Sequence, residues 1–137
     1  MSPRKLKDSL QNLQRAFLKL QDAVATPRTS PLVAEGTIQR FEFVIELFWK
    51  TLKRALEYEG RISKTPRESL KEAFQAGWIG NELVWLSMLD SRNLTSHLYL
   101  HPELVDATYE KIITYVPEMD NVLAFLLRRY EEIVSAG

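Results

Sequence analysis

The eight residues from Arg92 to Tyr99 hold most of the chain's capacity for chemistry: a guanidinium (Arg92), an amide (Asn93), two hydroxyls (Thr95, Ser96), an imidazole (His97) and a phenol (Tyr99). An imidazole titrates near neutral pH and can move protons. A guanidinium is a permanent, planar cation suited to phosphate oxygens and to charge that develops on them. Arg92 and His97 are five residues apart, which is about 140° around an α-helix. In one unbroken helix they would not share a face. They converge only if the helix frays near Thr95 or if a second subunit supplies the opposing copy. On the residues alone a structural account is favoured, in which Arg92 pairs with Asp90, Glu110 or another carboxylate and His97 caps a helix C-terminus.

Other polar residues are more dispersed. Glu42 and Glu46 stand one turn apart in an otherwise apolar stretch, where they can pair with Arg92 or meet a partner or substrate, and Lys50 follows one turn later. Lys50, Lys53 and Arg54, with Arg61 and Lys64, form either an RNA-attracting edge or a solvated helix face. The Phe41, Phe43, Phe48 and Trp49 cluster reads as core or dimer interface rather than a base-stacking platform, and Trp78 and Trp85 read as packing. His97 and His101 have the four-residue spacing of a helical metal-ligand pair, but Pro102 takes His101 out of helical geometry and no third ligand is evident. The chain has no Cys, no Gly-rich phosphate loop, no His-Glu-x-x-His and no Gly-x-Ser-x-Gly. No metal site and no cofactor are therefore expected.

The elements that must hold these residues read as helices. Five Gly in 137 residues are few, and the Asn-Gly and Asp-Gly pairs of β-hairpins are missing. Leu6, Leu10, Leu13, Phe17, Leu20 and Val24 make one apolar stripe. The Pro-containing stretch 25–31 breaks it, and Ser30-Pro31 fits an N-cap followed by proline at the first helical position. Ile38, Phe41, Ile45, Phe48, Leu52 and Leu56 carry a second, central helix to a stop at Gly60. Thr65-Pro-Arg-Glu68 is a capping box that opens a short helix ending at Gly77. A fourth helix begins near Gly80-Asn81 and must end before His101. Pro102 opens a fifth, which Pro117 should kink or split on its way to Val134. Four longer helices with short connections predict an all-α antiparallel four-helix-type bundle with one additional short helix, in a single domain over 1–137.

Composition is consistent with this. The chain is 45% hydrophobic and 26% charged, which is globular rather than disordered. Equal numbers of basic and acidic side chains conceal a split: residues 1–71 carry 14 Lys/Arg against 8 Asp/Glu, and residues 72–137 carry 4 against 10. The split either marks surfaces that face nucleic acid or one another, or is mixed away by antiparallel packing. A polar N-terminus and short apolar runs point to a cytoplasmic protein without a membrane span.

Three blocks in order carry a resemblance: Gln39-Arg-Phe-Glu-Phe-Val-Ile-Glu-Leu-Phe-Trp-Lys-Thr-Leu52, Pro66-Arg-Glu-Ser-Leu-Lys-Glu-Ala-Phe74 and Arg92-Asn-Leu-Thr-Ser-His97. From about Ile38 to Tyr99 the chain resembles nucleotidyltransferase substrate-binding proteins of the HEPN superfamily and is similar to HepT toxins. The resemblance implies a helical bundle that forms a homodimer, with a small, separately encoded nucleotidyltransferase as partner and RNA or a nucleotide as ligand. It implies either a metal-independent RNA endonuclease toxin neutralised by the nucleotidyltransferase, or a non-catalytic substrate-binding subunit of a two-component nucleotidyltransferase. Arg92, His97 and Tyr99 match the HepT motif of Arg, four residues, His, one residue, Tyr. That match implies catalytic roles for Arg92, His97 and Asn93, and AMP attachment by the partner at Tyr99. Two copies of Arg92 and His97 in one dimer cleft would supply both acid and base.

Overall fold

A computed structural model describes residues 2–91 and 94–136, with the side chains of 94–96 outside that description. Among the described residues seven α-helices follow one another: α1 (Pro3–Ala25), α2 (Pro31–Tyr58), α3 (Pro66–Gln75), α4 (Glu82–Asp90), α5 (Leu94–Leu100), α6 (Val105–Arg129) and α7 (Glu131–Ser135). A 3-10 turn at Pro102–Leu104 leads into α6, and no strand occurs among the described residues. The all-α class is as expected.

Cross-helix contacts give the topology. Ser9 and Thr51 share a buried hydrogen bond of 2.7 Å, and Arg40 donates to the Lys19 carbonyl at 2.8 Å. Advancing along α1 therefore means retreating along α2, so the two are antiparallel. The Phe41 ring stacks on Tyr115 at 5.6 Å, and Arg129 donates to Glu59 at 3.0 Å, so α6 runs parallel to α2. Between them the chain returns through α4 and α5. Trp85 meets Phe48 edge-on at 4.8 Å, and its indole N–H donates to Glu118 at 3.0 Å. Further along, Ser87 bonds the Tyr115 hydroxyl at 2.6 Å. The result is an up-down-up-down bundle of α1, α2, α4 with α5, and α6, in which α3 is the additional short helix. The four columns close over a core that includes Leu10, Phe17, Phe41, Phe48, Trp85 and Met119. Phe41, Phe48, Trp78 and Trp85 are packing residues, as expected. Phe43 is 61% exposed, and Trp49 is half-buried.

Local signals fix the helix ends. Thr65 Oγ1 accepts from the Glu68 N–H at 3.1 Å, while the Glu68 carboxylate accepts from the Lys64 N–H at 2.8 Å, one residue ahead of the cap. Gly60 and Gly77 both adopt positive φ. Beside them the Arg61 N–H donates to the Leu56 carbonyl at 2.8 Å and the Trp78 N–H to the Ala73 carbonyl at 2.9 Å, the six-to-one bond of a Schellman stop. Ser30 occupies the N-cap of α2, but its hydroxyl makes no capping bond.

Two expectations are corrected. The fourth helix is two helices: α4 stops at Asp90, where the Ser91 hydroxyl bonds back to the Ser87 carbonyl at 3.1 Å, and α5 begins at Leu94. Of the kink or split expected at Pro117, the split does not occur, since α6 runs through it to Arg129. Pro117 and Ile113, the residue whose carbonyl loses its donor, both lie on the exposed side of the helix, so water can reach that carbonyl.

At the far end of the bundle, the Tyr130 hydroxyl is buried and donates to Glu59 at 2.9 Å. Burial pushes this phenol up, the Arg129 contact opposes that, and the Glu59 acceptor adds to it, giving about 12 against the ordinary 10. Because the folded phenol holds its proton more tightly than the unfolded one, its contribution is complete below pH 10 and is lost as pH rises through about 12. The urea midpoint is expected to fall across that alkaline window, and Tyr130→Phe should flatten the fall. Separately, Thr65→Ala should lower unfolding free energy by about 1 kcal/mol in urea titration, the usual loss for a helix cap.

Candidate functional site

The site is organised by α5, a seven-residue helix with one described apolar anchor. Leu98 is 6% exposed and joins the core, with α5 lying against α2. Successive helical residues turn by about 100°, so His97 and Tyr99 emerge on opposite flanks of Leu98. Both are exposed, Tyr99 to 87%.

On the Tyr99 flank a cleft of about 490 Å³ is lined by Leu32, Gly36, Ile38, Leu98, Pro102 and Val105. Its wall is largely apolar, and Leu32 and Leu100 expose apolar surface beside Tyr99. The site therefore lies where the N-terminal half of α2 meets the start of α6. At this end Arg28 ties the connection before α2 to α6 through an ion pair with Asp106, and its guanidinium lies 4.3 Å from the Tyr109 ring centre.

On the opposite flank the His97 and His101 rings lie 4.5 Å apart, centre to centre, tilted by 38°. The His101 backbone has left helical geometry, as Pro102 requires, with φ −132° and ψ 66°. Its N–H nevertheless still donates to the His97 carbonyl at 3.1 Å and the Leu98 carbonyl at 3.2 Å. That shared bond keeps the two residues one turn apart and superimposes their side chains. His101 Nδ1 is 3.3 Å from Glu103 Oε1. The four-residue spacing signals the pair in the sequence, but Pro102 points away from the ring proximity that the structure shows.

The remaining candidates are distributed as follows. Arg92 and Asn93 lie outside the described residues. Glu42 and Glu46 are half-buried on α2, and Glu46 accepts the Trp49 indole N–H at 3.1 Å. Lys50 is exposed and its ammonium sits 6.0 Å from the Trp49 ring centre. By helical rise it is about 16 Å further along α2 than Gln39, which lines the Tyr99 cleft. The basic edge is partly compensated, since Lys53 approaches Glu57 at 3.9 Å and Arg61 meets Glu72 at 3.4 Å. Asp90, considered as a partner for Arg92, receives Arg67 at 2.7 Å.

Sequence reasoning missed a second surface. Arg15 and Lys19 of α1 and Arg40 and Phe43 of α2 line an open groove of about 570 Å³. These residues lie on the outward sides of two separate stripes, and only the antiparallel register that puts Arg40 against Lys19 unites them.

The described geometry places an imidazole pair on one flank of α5 and, on the other, an apolar cleft that carries a phenol. Among known proteins, the family described as nucleotidyltransferase substrate binding protein like matches residues 8–128. A Haemophilus influenzae protein named probable ribonuclease HepT is 35% identical over 99 residues, which is 69% of this chain and 67% of that protein. A crystal structure from Thermus thermophilus superposes with a TM-score of 0.76 at 32% identity, covering 83% of this chain and 98% of the other. A Haemophilus influenzae structure, described as revealing the fold of a substrate binding domain of a nucleotidyltransferase, superposes with a TM-score of 0.65 at 28% identity, covering 91% and 98%.

If Leu98 anchors the site, Leu98→Ala should accelerate amide exchange throughout α5 while leaving the α1 and α2 cores protected. Its unfolding free energy should drop by about 2 kcal/mol or more, as for other buried Leu truncations.

Proposed function

This chain belongs to the nucleotidyltransferase substrate-binding-protein-like family, and on that premise we propose that it is a metal-independent RNA endonuclease, a toxin subunit neutralised by a partner nucleotidyltransferase. The observation that carries the reading is the exposed His97, held at the surface of α5 by the buried Leu98 in the motif position that the resemblance assigns to catalysis. The relative named probable ribonuclease supports it.

In this reading His97 takes the proton of the attacking 2′-hydroxyl. Arg92 neutralises charge on the phosphate oxygens, and Asn93 holds His97 or a phosphate oxygen. The protein acts as a homodimer in the cytoplasm. Glu42, Glu46 and Lys50 are its contacts to partner or substrate. AMP attached by the nucleotidyltransferase to the Tyr99 oxygen places a bulky anion beside the site and blocks RNA by volume and repulsion. The 87% exposure of Tyr99 supports its use as an acceptor for another enzyme. Among the described residues no helix is long and apolar enough to cross a membrane.

The test is gel analysis of total RNA incubated with purified protein in excess EDTA. Wild type should cleave, and His97→Ala should reduce the rate by about 100-fold or more, the usual contribution of a general acid or base. Intact RNA after incubation with folded wild type would overturn the ribonuclease reading in favour of a substrate-binding subunit, whose nucleotide affinity would then be measured.

A further inference from the structure

We propose that His101 is a second catalytic residue, the general acid that protonates the leaving 5′-oxygen, so that one chain supplies both partners of the proton transfer. The inference rests on the ribonuclease reading and adds to it a residue outside the Arg92, His97 and Tyr99 motif. Three observations carry it. The His97 and His101 rings lie 4.5 Å apart, close enough for one phosphodiester to sit against both. Both side chains are exposed, so RNA can reach them. Glu103 lies 3.3 Å from His101 Nδ1, where its carboxylate can accept that N–H. This contact orients the ring and leaves Nε2 as the nitrogen that meets substrate.

RNA cleavage by transesterification needs one proton acceptor and one proton donor at the same phosphate. In the step assigned here, the 2′-oxygen forms a new bond to phosphorus and its proton passes to unprotonated His97. The bond from phosphorus to the 5′-oxygen breaks, and that oxygen takes the proton carried by protonated His101. The products are a 2′,3′-cyclic phosphate and a 5′-hydroxyl. One proton is gained by His97 and one is lost by His101, so no metal, oxidant or co-reactant is required. His97 already serves as the base, so the acid falls to the neighbouring ring of His101, and Glu103, within hydrogen-bond distance of His101 Nδ1, takes a positioning role.

A change of leaving group separates this role from a structural one. Single-turnover cleavage in EDTA is compared for an RNA oligonucleotide with the natural 5′-oxygen and the same oligonucleotide with a 5′-bridging sulfur, whose thiolate leaves without a proton. His101→Ala should slow the oxygen substrate by about 100-fold or more and leave the sulfur substrate within a few-fold of wild type. His97→Ala should slow both. His101→Asn keeps a donor for Glu103 without a transferable proton, and it should reproduce the pattern if His101→Ala perturbs α5. Near-normal cleavage of the oxygen substrate by His101→Ala, or equal losses on both substrates, would overturn the assignment while leaving the ribonuclease reading in place. Wild type that cleaves neither substrate would overturn both.

Discussion

Burial of α2 on several sides at once is the constraint from which the rest of the structure follows. Its 28 residues pack against α1, α3, α5 and α6, and its buried positions run from Ala34 to Leu56. A helix apolar around much of its circumference cannot rest on a bundle's surface; each neighbour must present its own stripe to it. The aromatic contacts show how this selects the topology. Phe41 takes Tyr115 of α6 and Phe48 takes Trp85 of α4, so both later columns are registered on α2. Ser87 and Trp85 then bond Tyr115 and Glu118 across the gap between those columns, which satisfies polar atoms that the packing would otherwise strand.

The same packing disposes of the charge asymmetry. Arg28 of the basic half pairs with Asp106 of the acidic half, and Arg67 pairs with Asp90. The pairing of Arg129 with Glu59 runs the other way, from a cation in the acidic half to an anion in the basic half. These ion pairs are substantially exposed and contribute little stability individually. Their effect is to break up the two single-sign surfaces that the composition suggests. What survives is local: the groove of Arg15, Lys19 and Arg40 is one such place, assembled only because two helices run antiparallel.

Features governed by neighbours in the chain were legible, and features governed by the third dimension were not. The Thr65 cap and the glycine stops at Gly60 and Gly77 depend on a few adjacent residues, and each stands where the residue pattern puts it. The break after Asp90 escaped because no proline or glycine stands between Asp90 and Leu94 to mark it. Continuity through Pro117 escaped for the opposite reason: the cost of a proline depends on whether the freed carbonyl faces core or water, which a one-dimensional pattern does not contain. Phe43 and Phe41 look alike as neighbouring aromatics of one apolar stretch, yet Phe43 is 61% exposed and Phe41 is fully buried, because two residues along a helix turn the side chain by about 200°.

The imidazole pair lies between these two cases, and it shows what a short helix ending in proline can do. Pro102 forces His101 out of helical φ and ψ, yet proline restricts the backbone of the residue before it without removing that residue's N–H. The His101 N–H therefore still reaches back to the His97 carbonyl, and the side chain is carried to the same side of the helix although the backbone has already turned away. The turn that follows brings Glu103 round to the back of the His101 ring. A pair spaced by one helical turn and closed by a 3-10 turn takes its separation from local geometry. It does not depend on how two subunits happen to meet. A site that needs its proton donor and acceptor at a fixed distance gains from that arrangement, because one buried side chain, Leu98, then positions both rings together. The same economy makes α5 depend on Leu98, its one described apolar anchor.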